Sequence, residues 1–241
     1  MKRNANFFLA LFFVGMNANG SFSQSDGNEP YKGYSHYEIK VSLDVANRKL
    51  IGSEKIRLIN TFSEPMDSLY FVTLSFFDEK NPYVHEIVND WGFVHEFEPN
   101  GTEIKTVADG AGNPLEYRFV PLMAYLRVQK YSNDRLLFYV KLNKPVSPGE
   151  EVLLNIDFEV KIPNVYSVAL GVNGIPERWS YKDGFAVRNG WYPVEVNRKE
   201  NQWDLERLAG SGYFVDKLEL TLPRNYVAVV AGDRVVETIN G

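Results

Sequence analysis

From Tyr37 the chain alternates. Tyr37, Ile39, Val41, Leu43 and Val45 are apolar, and Glu38, Lys40, Ser42 and Asp44 separate them. Successive side chains of a strand point to opposite faces, so this spacing predicts a half-buried strand. Asn47-Arg48 predicts a turn, and residues 50–60 (LIGSEKIRLIN) predict its antiparallel return. The same period recurs at Leu136, Phe138, Val140 and Leu142. It recurs over a longer run at Val152, Leu154, Ile156, Phe158, Val160 and Ile162. Pro148-Gly149 between those two runs is a strong turn signal. Leu218, Leu220 and Leu222 mark a later strand that Pro223 ends, because proline has no N–H for a ladder. Residues 226–231 and 235–239 predict two more short strands.

Asn100-Gly101, Asp109-Gly110, Asn113-Pro114, Asn173-Gly174, Asp183-Gly184 and Asn189-Gly190 punctuate the chain with turns. No long window shows helical spacing. Many short strands between frequent turns predict a mostly β fold, an antiparallel β-sandwich or a saddle-shaped curved β-sheet.

The first residues follow a different pattern. Lys2 and Arg3 precede the apolar run FFLALFFVGM at residues 7–16. Ten residues are too few for a membrane-spanning helix, which needs about 20. A positive start, a short apolar run and small polar residues predict a secretory signal peptide over residues 1–23, cleaved after Ser23. Residues 24–33 (QSDGNEPYKG) predict a flexible lead-in, and 34–241 a single domain. The expected localisation is export, to the periplasm or outside the cell. The chain has no cysteine, so disulfides and thiolate chemistry are excluded and the domain must stand on its core. Its formal charge is −5 and no Lys/Arg stripe occurs, which argues against nucleic acid as a partner. No later segment predicts a membrane span.

Candidate chemistry is sparse. The histidines are His36, His85 and His95, and the last two are followed by Glu. Zinc peptidases use H-E-x-x-H on a helix, which puts two imidazoles on one face. Here the fifth position is Asn89 or Pro99, so neither stretch supplies that site. No G-x-S-x-G, G-x-G-x-x-G or P-loop occurs. No spacing selects a carboxylate pair of the kind glycosidases need. Trp179, Tyr181, Trp191, Tyr192 and Trp203 cluster in the last third. They read either as core packing or as an exposed platform.

Several segments together resemble one family. YEIKVSLDV, the turn and LIGSEKIRLIN are similar to the opening hairpin of zinc aminopeptidases of the aminopeptidase N type, the gluzincins. Leu43, Asp44, Leu50, Gly52 and Asn60 match its pattern. Residues 69–77, 146–163, 189–204 (NGWYPVEVNRKENQWD) and 212–232 resemble later pieces in the same order. The resemblance implies a β-domain packed beside a thermolysin-like catalytic domain, in an enzyme that removes N-terminal residues from peptides with a zinc-bound water. The family's G-x-M-x-N and H-E-x-x-H motifs are absent from residues 1–241. No catalytic residue, metal ligand or cofactor is therefore expected in this chain, and zinc is implied only for a full-length family member. Residues 171–188 are the neighbourhood of the family's contact to a substrate amino group, but no motif there matches it.

The expected role is that of an N-terminal domain forming one wall of an active-site cleft, with the catalytic domain as its partner and peptides as possible ligands. Trp191, Tyr192, Pro193, Glu195 and Trp203 are then an exposed aromatic edge facing that partner. The alternative is a stand-alone secreted β-sandwich that binds a peptide, a glycan or a partner protein, with the same aromatics as its platform.

Overall fold

A computed structural model of the chain describes residues 7–12, 33–73, 101–120, 136–162, 179–180, 184–188, 191–205, 213–224 and 226–230. The described residues form strands and no helix. In chain order these are β1 (Phe7–Phe12), β2 (Ser35–Asp44), β3 (Lys49–Ile59), β4 (Met66–Val72), β5 (Gly101–Asp109) and β6 (Tyr117–Val120). There follow β7 (Leu137–Val146), β8 (Glu151–Lys161), β9 (Trp179–Ser180), β10 (Gly184–Arg188) and β11 (Val194–Glu195). The last are β12 (Arg198–Lys199), β13 (Gln202–Trp203), β14 (Tyr213–Thr221) and β15 (Tyr226–Val230).

Two sheets carry the core. One has the order β14-β2-β3-β8-β5, the other β11-β4-β7-β6. Their inward residues form a single hydrophobic cluster that includes Tyr37, Ile39, Ile56, Phe71, Phe138 and Phe158. The sheets are antiparallel and do not close into a barrel, as a β-sandwich requires. Within these two sheets one pairing departs from the antiparallel expectation. β14 runs parallel to β2, on the edge that β3 leaves open. A parallel pair needs a long connection, and most of the chain lies between the two strands.

The β2–β3 hairpin follows its sequence period. Tyr37, Ile39, Val41 and Leu43 are buried and Glu38 and Lys40 are exposed. Burying a side chain of this size stabilises the fold by about 1.5–3 kcal/mol. The turn is held by Asp44, whose carboxylate accepts the Asn47 backbone N–H at 3.1 Å and its side-chain amide at 2.7 Å. These bonds hold the Asp44 carboxyl below its usual range. On the inward face of β3, a Cβ on Gly52 would lie 2.6 Å from Cε2 of Phe158, so only glycine admits that ring.

Asn60 ties the end of this hairpin to the next. Its side chain is buried, donates to the carbonyls of Glu64 at 2.9 Å and Val146 at 2.8 Å, and accepts the Phe62 N–H at 2.9 Å. Its backbone exchanges bonds with Gly149 and Glu150 in the β7–β8 turn. Gly149 has φ of +80°, which the Pro148-Gly149 turn demands.

A third sheet has the order β15-β1-β10-β9, with β1 parallel to both neighbours. In the intact chain the N-terminal apolar run is thus partly an extended strand. The expected strand at 235–239 and residues 74–77 lie outside the described residues, as do the turn pairs at 173–174 and 189–190. No helix among the described residues is long and apolar enough to cross a membrane.

Candidate functional site

The segment 191–205 crosses the seam between the two core sheets. Six consecutive residues, Trp191 to Val196, are buried. β11 pairs antiparallel with β4, matching Val194 to Val72 and Glu195 to Phe71. The Val196 N–H continues to the Tyr70 carbonyl at 2.9 Å. On the other side, the Thr102 hydroxyl donates to the Trp191 carbonyl at 3.0 Å. The segment is therefore bonded to β4 and to β5 at once.

Its aromatic rings join a buried array. Trp191 meets Tyr192 edge to face at 4.8 Å between centroids, and Phe158 lies at 6.1 Å. Tyr37 packs edge-on against Tyr192 at 6.3 Å and Tyr213 at 5.4 Å. Such pairs add about 0.5–1.5 kcal/mol beyond area burial. The Tyr37 hydroxyl oxygen accepts the Glu195 backbone N–H at 2.9 Å. Burial pushes the Tyr37 and Tyr192 hydroxyls well up, with Glu195 next in effect on Tyr37 and Tyr213 next on Tyr192.

Glu195 is the electrostatic centre. Oε1 accepts from Nε of Arg198 at 2.8 Å and from its Nη2, while Oε2 accepts the Ser35 hydroxyl. Arg198 also donates to the Ile59 carbonyl and to the Thr61 hydroxyl at 3.1 Å. Its guanidinium stacks over Trp203 at 5.6 Å and Phe62 at 6.0 Å. Burial pushes the Glu195 carboxyl up, and Arg198 and Ser35 pull it back. The Ser35–Glu195 contact is not a nucleophile with its base. The carboxylate is committed to Arg198 and both residues are buried, so no substrate atom reaches them. What the cluster does is clamp segment 191–205 to the start of β2 and the end of β3.

The expected exposed aromatic edge is corrected by this geometry. Trp191, Tyr192, Pro193 and Glu195 are buried, and Trp203 is half-buried against Phe62, at 5.3 Å, and Tyr70, at 5.8 Å. The physical reason is the pairing of β11 with β4, which draws WYPVEV inward. The tip of the β12–β13 hairpin, from Lys199 to Gln202, and Leu205 after it stand in solvent.

His85 and His95 lie outside the described residues, as do Tyr181 and residues 171–178. His36 is described, and its Nδ1 lies 3.0 Å from both carboxylate oxygens of Asp216. Asp216 is the extra residue of a bulge in β14, between Val215 and Lys217. Among the described residues no group of three His, Asp or Glu side chains could hold a metal. A zinc ion therefore does not fit the described residues, and no catalytic step is assigned to them.

The sequence reading missed Ser35, Arg198 and Glu54. Glu54 carried a signal. The period of β3 places it on the same face as Leu50, Gly52, Ile56 and Leu58, and it is 1 % exposed.

No known family profile matches the sequence, and no curated protein matches it. Among solved structures the chain is similar to an M1 zinc metallopeptidase from Deinococcus radiodurans, at 12 % identity and a TM-score of 0.36. It is also similar to a two-domain M1 zinc metallopeptidase mutant bound to L-tryptophan, at 13 % identity and a TM-score of 0.38. Each match covers 79 % of this chain and 32 % of the other, so the chain spans about a third of the structures it resembles. At these TM-scores the likeness assigns neither family nor activity.

Proposed function

We propose that this chain is the N-terminal β-domain of an exported aminopeptidase N-like zinc metallopeptidase, where it forms a cleft wall and a scaffold for a thermolysin-like catalytic domain. The observation that carries the reading is the order of the resembling segments. They fall on the β2–β3 hairpin, on β4, on the β7–β8 hairpin, on residues 189–204 and on β14 to β15. Three of those pieces have a structural task here: Asn60 closes the first hairpin, Gly149 makes the turn of the third piece, and WYPVEV seals the seam.

Export is part of the proposal and rests on Lys2, Arg3, the apolar run at 7–16 and the Ser21/Ser23 pair. Zinc and peptide substrates belong to the proposed whole protein. The stand-alone module reading relied on an aromatic platform, and the burial of Trp191 and Tyr192 removes its main support.

The test is the genomic frame after codon 241. A frame encoding G-x-M-x-N and H-E-x-x-H, whose product hydrolyses amino-acid anilides and binds one zinc, is the expected result. A stop followed by an unrelated gene, with binding of a free glycan or peptide by the secreted chain, overturns it.

A further inference from the structure

Glu54 sits near the middle of the five-stranded sheet, opposite Ile39 on β2 and Ile156 on β8. Its side chain points into the core, and neither carboxylate oxygen has a hydrogen-bond partner among the described residues. We propose that Glu54 is a built-in pH sensor: it carries its proton in the folded sandwich, and losing that proton loosens the packing of the seam segment 191–196 on the sheet.

The surroundings make this the consistent state. An ionised carboxylate without partners in an apolar core is far more costly than its neutral form. The groups acting from neighbouring elements are themselves neutral or anionic. Tyr37 on β2 and Tyr192 on the seam segment both feel Glu54 electrostatically. The inward residues of β8, including Leu154, Ile156 and Phe158, are apolar, and those of β5 are the apolar Ile104 and Val107 with Gly101 and the uncharged Thr102, whose hydroxyl donates to the Trp191 carbonyl. On β4 and β7 the inward residues include Leu69, Phe71, Phe138 and Val140, also apolar. The charged pair on the seam, Glu195 and Arg198, is satisfied within itself and by Ser35. Tyr213 on β14 packs against Tyr37 and Tyr192. Burial is the one influence on Glu54, and it pushes the carboxyl well above the usual range.

The sign follows from proton binding. Unfolded, Glu54 ionises near its ordinary value of about 4.3. Above that value the folded chain holds a proton that the unfolded chain has released. Folding stability therefore falls as pH rises from there toward the folded-state value, by up to about tenfold in the folding constant per pH unit. Below about pH 4 both states are protonated and this dependence ends.

The test is urea unfolding of the 241-residue chain between pH 5 and pH 8.5, in wild type, Glu54→Gln and Glu54→Met, with infrared spectra at pH 7. The expected result is a folding constant that falls with pH relative to Glu54→Gln, by several-fold to tenfold per unit. A protonated-carboxyl stretch should appear in wild type and be missing from Glu54→Gln. Parallel pH profiles in wild type and either folded variant overturn the proposal. If neither variant folds, the wild-type spectrum decides: absence of a protonated-carboxyl band at pH 7 overturns it, and a band that disappears together with the folded signal as pH rises supports it.

Discussion

Two glutamates are buried in this core, and they are solved in opposite ways. Glu195 lies at the seam with a guanidinium, a hydroxyl and two aromatic faces around the pair. Glu54 lies one sheet layer away with no hydrogen-bond partner among the described residues. Burial raises both carboxyls, but only Glu195 is pulled back by partners. Depth alone therefore does not decide what a carboxyl contributes. The donors around it do, and they turn one residue into a clamp and leave the other sensitive to pH.

The largest way to break this contrast is to remove Arg198. Arg198→Met leaves Glu195 buried without its cation, and should cost about 3–5 kcal/mol in urea unfolding at pH 7. The variant should also become more pH-sensitive. Without Arg198 the Glu195 carboxyl rises further, so stability should fall more steeply with rising pH above about 4.3 than in wild type. An unchanged pH slope would show that Arg198 does not hold Glu195 ionised. Glu195→Gln with Arg198→Met should recover part of the loss, because the buried charge goes with it.

The seam between the two glutamates is tested next. Trp191→Ala should cost about 3–5 kcal/mol, the range for truncating a fully buried aromatic. Trp203→Ala, at a half-buried site, should cost clearly less in the same denaturation experiment. Equal losses would mean that the two tryptophans are equally part of the core.

Gly52→Ala probes the packing beside Glu54. The added methyl meets the Phe158 ring, and overpacking of this kind costs about 1–3 kcal/mol. The shift should appear as a lower thermal midpoint with no change in the slope of stability against pH, since no titrating group is altered.

The smallest effect belongs to the exposed turns. The Asp44 and Asp109 carboxyls are held below their usual range, each chiefly by a side-chain bond from Asn47 or Asn113. A lowered carboxyl contributes stability above about pH 3.9, and the contribution is lost as pH falls through the folded-state value. Asp44→Ala should thus narrow the difference in thermal midpoint between pH 6 and pH 3. A wild-type difference retained in full would remove Asp44 from the acid response.

Much of the fold was legible because local period and burial agree. In β2, β3 and β8 every second residue faces the core, and the turns carry their own signals in Asn47-Arg48 and Pro148-Gly149. β5 escaped because a bulge between Ile104 and Thr106 breaks the period, so Lys105 and Thr106 are exposed side by side. The parallel pairing of β14 is a choice of partner across the whole chain, and alternation is silent on partners. The clamp was hidden for a different reason. Six buried residues in a row have no amphipathic signature, so WYPVEV reads equally as a platform or as a core plug. Glu54 was visible in principle, as a charge on the apolar parity of its strand.

The contact between β2 and β14 also governs the order of assembly. His36 and Asp216 are 180 positions apart, and Ser35 and Glu195 are 160 apart. During synthesis β2 has its hairpin partner within a few seconds of emerging, at roughly 5–20 residues per second, yet the neighbour on its other flank only after residue 213. For that interval a row of unsatisfied N–H and C=O groups faces solvent, a hazard for pairing between nascent chains. Contacts of such long range also place the closing step on the slow side of single-domain folding, in milliseconds to seconds. The strand that completes the sheet is thus a late latch on a structure whose first hairpin forms early.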